Sequence, residues 1–330
     1  MKIIDKMHEN NLDALLVLNP YNITYIAGFK PSSSSILLIR EEPILFTSKM
    51  DMEAAELNST ILVEELKSLD KIKEMLKGTV GIEGSITLET FNRLKKDFSL
   101  NYKTTQIVEE MRQIKTDKEL NHIINALKIA EKSIKQVEFD KKSENRIAAE
   151  IEYNMRLNGS PKAAFDTIVA SGNRSSLPHA EVTNESLERP IVIDWGAKYN
   201  NYCSDTTRTI IETERHQEIF DIVLEAQMSA IKEVKPGIKA SYIDKVARDV
   251  IEEYGYGKSF IHSTGHGVGL EVHEGPSLSK RETAKLQKGM VITIEPGIYL
   301  ENDFGVRIED MVHITNKGNV LNRIDTKISI

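Results

Sequence analysis

IVIDWGAKYNNYCSDTTRTI, residues 191–210, ends one apolar run on Asp194 and opens the next on Asp205. Ile191–Asp194 reads as one strand and Asp205–Ile211 as another, with Gly196 permitting a turn after the first. Two acids at strand ends, joined by a hairpin-length connection, can face each other. Taken alone the pair is equally ordinary turn chemistry, because Asp and Gly are the residues that turns use. Trp195 reads as packing, and Cys203 as a small buried residue beside the acids.

Two later stretches change the weight of that pair. IHSTGHGVGLEVHEGP, residues 261–276, gathers His262, His266 and His273 around Gly265, Gly267 and Gly269. The glycines let backbone approach a ligand closely. The spacing is not HExxH, which excludes a helical zinc-protease site. GMVITIEPGIYLENDFGVRIEDMVHI, residues 289–314, carries Glu295 at the end of an apolar strand before Pro296–Gly297. Val306–Ile314 reads as one further strand with Arg307 and Glu309 on one face. Acids in apolar strands are costly to bury unpaired. A salt bridge to Arg307 accounts for one acid but not for four. Asp194, Asp205, Glu295 and Glu309 carry four negative charges when ionised. Two divalent cations cancel them, with His266 as a neutral nitrogen ligand. An oxygen-rich shared site suits Mn²⁺ or Co²⁺, with Zn²⁺ or Fe²⁺ also compatible.

The chain has 330 residues, 40% hydrophobic and 28% charged, enough for two domains with sizeable cores. Its net charge of −7, with acids spread along the chain, points away from nucleic acid and from anionic membrane. A single cysteine excludes an intrachain disulfide and fits a reducing compartment. Asp5, Glu9 and Asp13 interrupt the N-terminal apolar residues, so no signal-peptide core is present. No run approaches a membrane span. These features together read as a cytoplasmic protein.

The first third alternates helical and extended patterns. Helices are expected over 2–10, Met50–Leu57, Lys67–Leu76 and Leu88–Lys96. Strands are expected at Ala14–Leu18, Ser35–Arg40, Pro43–Thr47, Ile61–Glu64 and Thr79–Ile82. The pattern implies a small mixed sheet flanked by helices. Beyond it, helices are expected at Asp117–Gln136, Ser143–Leu157, Gln217–Glu233 and Ser241–Glu253. Thr116 and Glu119 form a capping-box pattern before the first of these. Strands are expected at Asp166–Ala170, at Met290–Ile294 and near Lys327–Ile330. The fold class is α/β (α+β), with domains 1–115 and 116–330.

The motifs DWGA, SDTTRT, GHGVGLEVHE, IEPGIY and VRIED resemble the pita-bread metallopeptidases, in particular aminopeptidase P and prolidase. NITYIAGF and MRQIKTDKEL are similar to the creatinase-type N-terminal domain. The resemblance implies that Asp194 binds one metal ion alone, that Asp205 and Glu309 bridge two ions, and that His266 and Glu295 complete the second site. It implies hydrolysis of the Xaa-Pro bond at the N-terminus of peptides by a hydroxide bridging the two ions. Glu295 would carry the proton and His273 would assist at the carbonyl oxygen. His179, in SLPHAEV, matches a substrate histidine. His262 and Arg307 would bind the proline side. Phe165, in AAFDTIVASG, reads either as an apolar substrate wall or as plain core. A homodimer is implied as well. The alternative is a strict Xaa-Pro dipeptidase. Compact prolidases carry an arginine after the HExP segment where this chain has Ser277, which tips the reading toward aminopeptidase P, although Arg307 or Lys280 could replace that charge. Methionine aminopeptidase fits less well, because the N-terminal domain is foreign to it. A peptide-binding pseudoenzyme is disfavoured by the intact ligand set.

Overall fold

The computed structural model describes residues 2–97, 100–140 and 142–327. The chain divides into two compact units, 1–112 and 113–330.

In the first unit, ALLV at Ala14–Val17 is buried throughout and lies inside a six-stranded mixed sheet. The strand order is Leu62–Glu65, Pro43–Thr47, Ser35–Ile39, Ala14–Val17, Thr79–Glu83, Asn101–Thr105. Side chains alternate across the sheet. Leu15 and Val17 join Met7, Ile23 and Ile107 in one core, while Ala14 and Leu16 join Phe46, Ile72 and Leu94 in another. Helices on both faces therefore explain an uninterrupted apolar strand.

Three elements of this unit depart from expectation. Pro20–Ala27 is helical, Asn101–Thr105 is an edge strand, and Ile107–Gln113 is a helix that starts in this unit. The first carries ordinary start and stop signals. Asn19 Oδ1 accepts from the Tyr21 amide at 2.8 Å, Pro20 occupies the first turn, and Gly28 ends the helix at φ 76°. Asn101–Thr105 (NYKTT) is mostly polar and little buried, so its apolar pattern is weak.

The second unit pairs helices with two sheets. Thr116 caps Asp117–Ile134 by accepting from the Glu119 amide, and Glu119 Oε2 accepts from the Thr116 amide at 2.8 Å, the expected capping box. Asp117–Ile134 and Glu144–Leu157 share a core with an antiparallel three-stranded sheet ordered Thr206–Ile210, Ile191–Trp195, Ile168–Ser171. Trp195 is buried in that core and its indole N–H donates to the Ala130 carbonyl at 3.0 Å. Glu214–Glu233 and Ala240–Glu253 cover a five-stranded sheet ordered Glu274–Leu278, Gly265–Gly267, Val291–Ile294, Asp310–Ile314, Gly318–Val320. Cys203 is buried, as expected.

Val306–Ile314 is not one strand. Gly305–Arg307 pairs with Gly297–Tyr299, and Asp310–Ile314 pairs with Val291–Ile294. Between them, the Glu309 amide leaves both ladders and donates to the Thr207 carbonyl at 3.1 Å. Arg307 and Glu309 consequently do not share one strand face. The strand expected near Lys327–Ile330 is not found at Lys327, which lies in a bend, and residues 328–330 fall outside the described residues. Among the described residues, no helix is long and apolar enough to cross a membrane.

Buried Arg208 ties the sheets together behind this break. It donates to the Asp310 carboxylate at 2.7 Å and to the carbonyls of Thr207, Glu309 and Asp325. Arg208→Ala leaves Asp310 buried without its cation. A loss of about 3–5 kcal/mol is expected in chemical denaturation.

Candidate metal centre

The ten residues singled out as site residues from the sequence all line one cavity of about 730 Å³. The three-stranded sheet brings in Asp194, which sits opposite Thr207 in the register, and Asp205, just before Thr206–Ile210. The five-stranded sheet brings in His266 and Glu295. Glycine is required on both sides of His266. A Cβ on Gly265 would lie 2.1 Å from the Thr293 carbonyl oxygen, and one on Gly267 would lie 2.2 Å from that of Gly275. The Glu295 amide donates to the Thr264 carbonyl at 2.8 Å, fixing the turn out of Val291–Ile294. Glu309 enters from the break described above.

These groups converge. His266 Nε2 lies 3.3 Å from Glu295 Oε1 and 3.6 Å from Asp205 Oδ2. One ligand atom each from Asp205, His266 and Glu309 lies within 4.8 Å of the others. Thr207 donates its hydroxyl to Glu309 Oε2 at 2.8 Å. Asp194 Oδ1 and Asp205 Oδ1 are buried with no hydrogen-bond partner among the described residues. Buried carboxylate oxygens without donors are costly, and a cation removes that cost.

The electrostatics agree. Burial pushes the Asp205 carboxyl well above the usual range, reinforced by the charges of Glu309 and Asp194. Burial does the same to Glu309, helped by Glu295 and Asp194. Asp194 is raised by burial, with Arg307 opposing. Glu295 differs. Burial raises it, but the hydrogen bond and charge of His266, with His262 and Arg307, bring it down to about 2. Burial lowers His266, yet its contacts with Glu295 more than offset this and hold it above its ordinary value. Four crowded acids, two orphaned oxygens and one imidazole fit a divalent-metal site.

Around this floor, Arg307 is committed. Its guanidinium donates to Asp194 Oδ2 and the Tyr299 hydroxyl, both at 2.8 Å, and to Thr207 Oγ1 at 3.1 Å. His262 Nε2 lies 2.9 Å from the Tyr299 hydroxyl. Burial holds His262 below its usual pKa, and burial together with the His266 charge does the same for His273. His179 and His273 are exposed to the cavity, and Phe165 lines it. Lys280 lines a different cavity.

Sequence reasoning assigned no role to Tyr299, which bridges Arg307 and His262, although IEPGIY carries it. It also passed over Gln227. From the helix Glu214–Glu233, the Gln227 amide donates to the carbonyls of Ile294 and Ile308, at 3.2 and 3.3 Å. Each carbonyl directly precedes one of the converging glutamates. Only a buried polar residue on an amphipathic helix signals this in the sequence.

Residues 121–316 match the family described as Metallopeptidase family M24, and residues 1–114 match the Creatinase/Prolidase N-terminal domain. The chain belongs to metallopeptidase family M24. This M24 chain is 44% identical over 332 residues to an Xaa-Pro dipeptidase of Pyrococcus horikoshii, covering 96% of the chain and 94% of that protein. Among solved structures it resembles a prolidase from Pyrococcus furiosus, with TM-score 0.91, 41% identity, and coverage of 98% and 99% of the two chains. It also resembles an X-Pro aminopeptidase from Thermotoga maritima, with TM-score 0.91, 37% identity, and coverage of 99% and 98%. The M24 chain is therefore a peptidase with a creatinase-type N-terminal domain and a pita-bread catalytic domain, of a family that implies divalent metal.

Proposed function

We propose that this M24 peptidase hydrolyses the bond between an N-terminal residue and a following proline. The observation that carries the reading is the convergence of Asp194, Asp205, His266, Glu295 and Glu309 on the floor of a cavity rimmed by His179, His262, His273 and Arg307. In this reading Asp194 would hold one ion, His266 with Glu295 the other, and Asp205 and Glu309 would serve both. Two divalent ions, Mn²⁺ or Co²⁺ on the oxygen-rich donor set, would supply activation of a water and of the scissile carbonyl.

The remaining chemistry belongs to side chains. Glu295 takes the proton of the attacking water and delivers it to the proline nitrogen. His273 donates a hydrogen bond to the carbonyl oxygen as charge develops there. An Xaa-Pro amide has no N–H, so recognition must come from shape and from the polar rim. His179 and His262 receive the proline side, the charge of Arg307 backs that pocket from its bonds to Asp194 and Tyr299, and Phe165 forms an apolar wall.

The curated Pyrococcus relative supports a dipeptide substrate. Ser277 on the cavity wall and the donors Arg307 already spends favour tolerance of longer chains. Assay of Ala-Pro, Ala-Pro-Ala and Ala-Ala after Mn²⁺ or Co²⁺ loading separates the readings. Cleavage of Ala-Pro with little of Ala-Pro-Ala identifies a dipeptidase, and comparable rates identify an aminopeptidase. Failure to cleave either proline peptide overturns the proposal. A homodimer in the cytoplasm completes the reading. The dimer is supported by the family resemblance and the reducing compartment by a single, buried cysteine, and sedimentation reads the dimer.

Gln227→Leu removes the amide that holds the carbonyls preceding Glu295 and Glu309. Metal affinity measured by calorimetry is expected to fall about 10–100-fold, with the fold retained in circular dichroism.

A further inference from the structure

Six acidic residues line the metal-centre cavity, and five have evident work. Asp194, Asp205, Glu295 and Glu309 converge on the floor. Glu274 is paired with buried Lys115 at 2.7 Å. The sixth, Asp166, is exposed and makes no hydrogen bond or ion pair among the described residues. It lies between Phe165 and Ile168 on the cavity wall, leading into the strand whose Ile168 pairs with Asp194 in the register.

The geometry points to Asp166 as a specificity-determining residue that favours a basic first residue, Lys or Arg, in the Xaa-Pro substrate. The inference rests on the Xaa-Pro reading above. An Xaa-Pro dipeptide, the substrate used in the test below, carries positive charge only on Xaa, at its ammonium group and on a basic side chain. Proline contributes no cation, and in a dipeptide it brings a carboxylate. An unpaired carboxylate on the wall therefore belongs to the Xaa end. Phe165 and Ile168 offer apolar surface for the aliphatic stem of Lys or Arg, with Asp166 to meet its charged tip. The lining guanidinium does not compete for it, because Arg307 is bound to Asp194.

The test compares kcat/KM for Lys-Pro and norleucine-Pro, which share a stem and differ in charge, with Glu-Pro as a third substrate. The wild-type protein is expected to prefer Lys-Pro over norleucine-Pro by about fivefold at low salt, the upper range for a partly exposed ion pair, and by less at high salt. Asp166→Asn should bring that ratio close to one. Asp166→Lys should reverse the order of Lys-Pro and Glu-Pro. A ratio in both variants equal to that of the wild type overturns the role of Asp166 and leaves Xaa-Pro cleavage standing. Failure of the wild type to cleave any of the three overturns the Xaa-Pro reading and this inference with it.

Discussion

Glu309→Gln is expected to lower kcat/KM on Ala-Pro by about a thousandfold or more while making the metal-free protein more stable. Both effects come from one charge. Glu309 stands in the bridging position of the proposed centre, and loss of a bridging carboxylate removes several kcal/mol of charge stabilisation at the reacting atoms. Without metal, the same carboxylate is a liability. Burial, reinforced by the charges of Glu295 and Asp194, holds its pKa well above the usual range. Glutamine keeps the shape and can still accept from Thr207, yet carries no charge to repel. Thermal unfolding in chelator should therefore rank the variant above the wild type, and added Mn²⁺ should raise the wild type past it. A metal-free variant less stable than the wild type would contradict the electrostatic account.

The second large effect is a reversal of pH dependence by metal. Asp205, Glu309 and Asp194 all have folded-state pKa values raised above those of the unfolded chain. Such groups contribute stability below their unfolded pKa, and lose it as pH rises through the folded value. Chelated protein should thus weaken between pH 5 and pH 8. Glu295 works in the other direction, but its pKa of about 2 places that change in the acid range. Divalent metal binds the ionised carboxylates, so its stabilisation should grow over the same interval. Saturation at a hundred times the dissociation constant adds about 2.7 kcal/mol per site, a rise of about 10–20 °C in Tm for two sites in a domain of this size. Equal Tm values with chelator and with Mn²⁺ at pH 8 would count against the site.

Much of this was legible because the chemistry breaks local rules. Asp194 and Glu295 end apolar strands, and His266 sits between glycines, so each is conspicuous against its neighbours. The fold of the first unit followed from apolar runs such as ALLV. What stayed hidden depends on long-range pairing. The break at Ile308–Glu309 is invisible in the alternation of Val306, Arg307, Ile308 and Glu309, because it arises from the Glu309 amide bonding to Thr207. Gln227 and Tyr299 act through contacts with residues 67 and 37 positions away. Asn101–Thr105 takes its strand from parallel pairing with Thr79–Glu83 rather than from its own composition.

The decisive experiment is metal content per chain, measured by mass spectrometry alongside Ala-Pro hydrolysis during stepwise return of Mn²⁺ to chelated protein. Two ions are expected per wild-type chain, with activity that requires them and loss of tight binding in Asp205→Asn. Full activity in the metal-free protein, or failure to bind two divalent ions of any kind, would contradict the two-metal site.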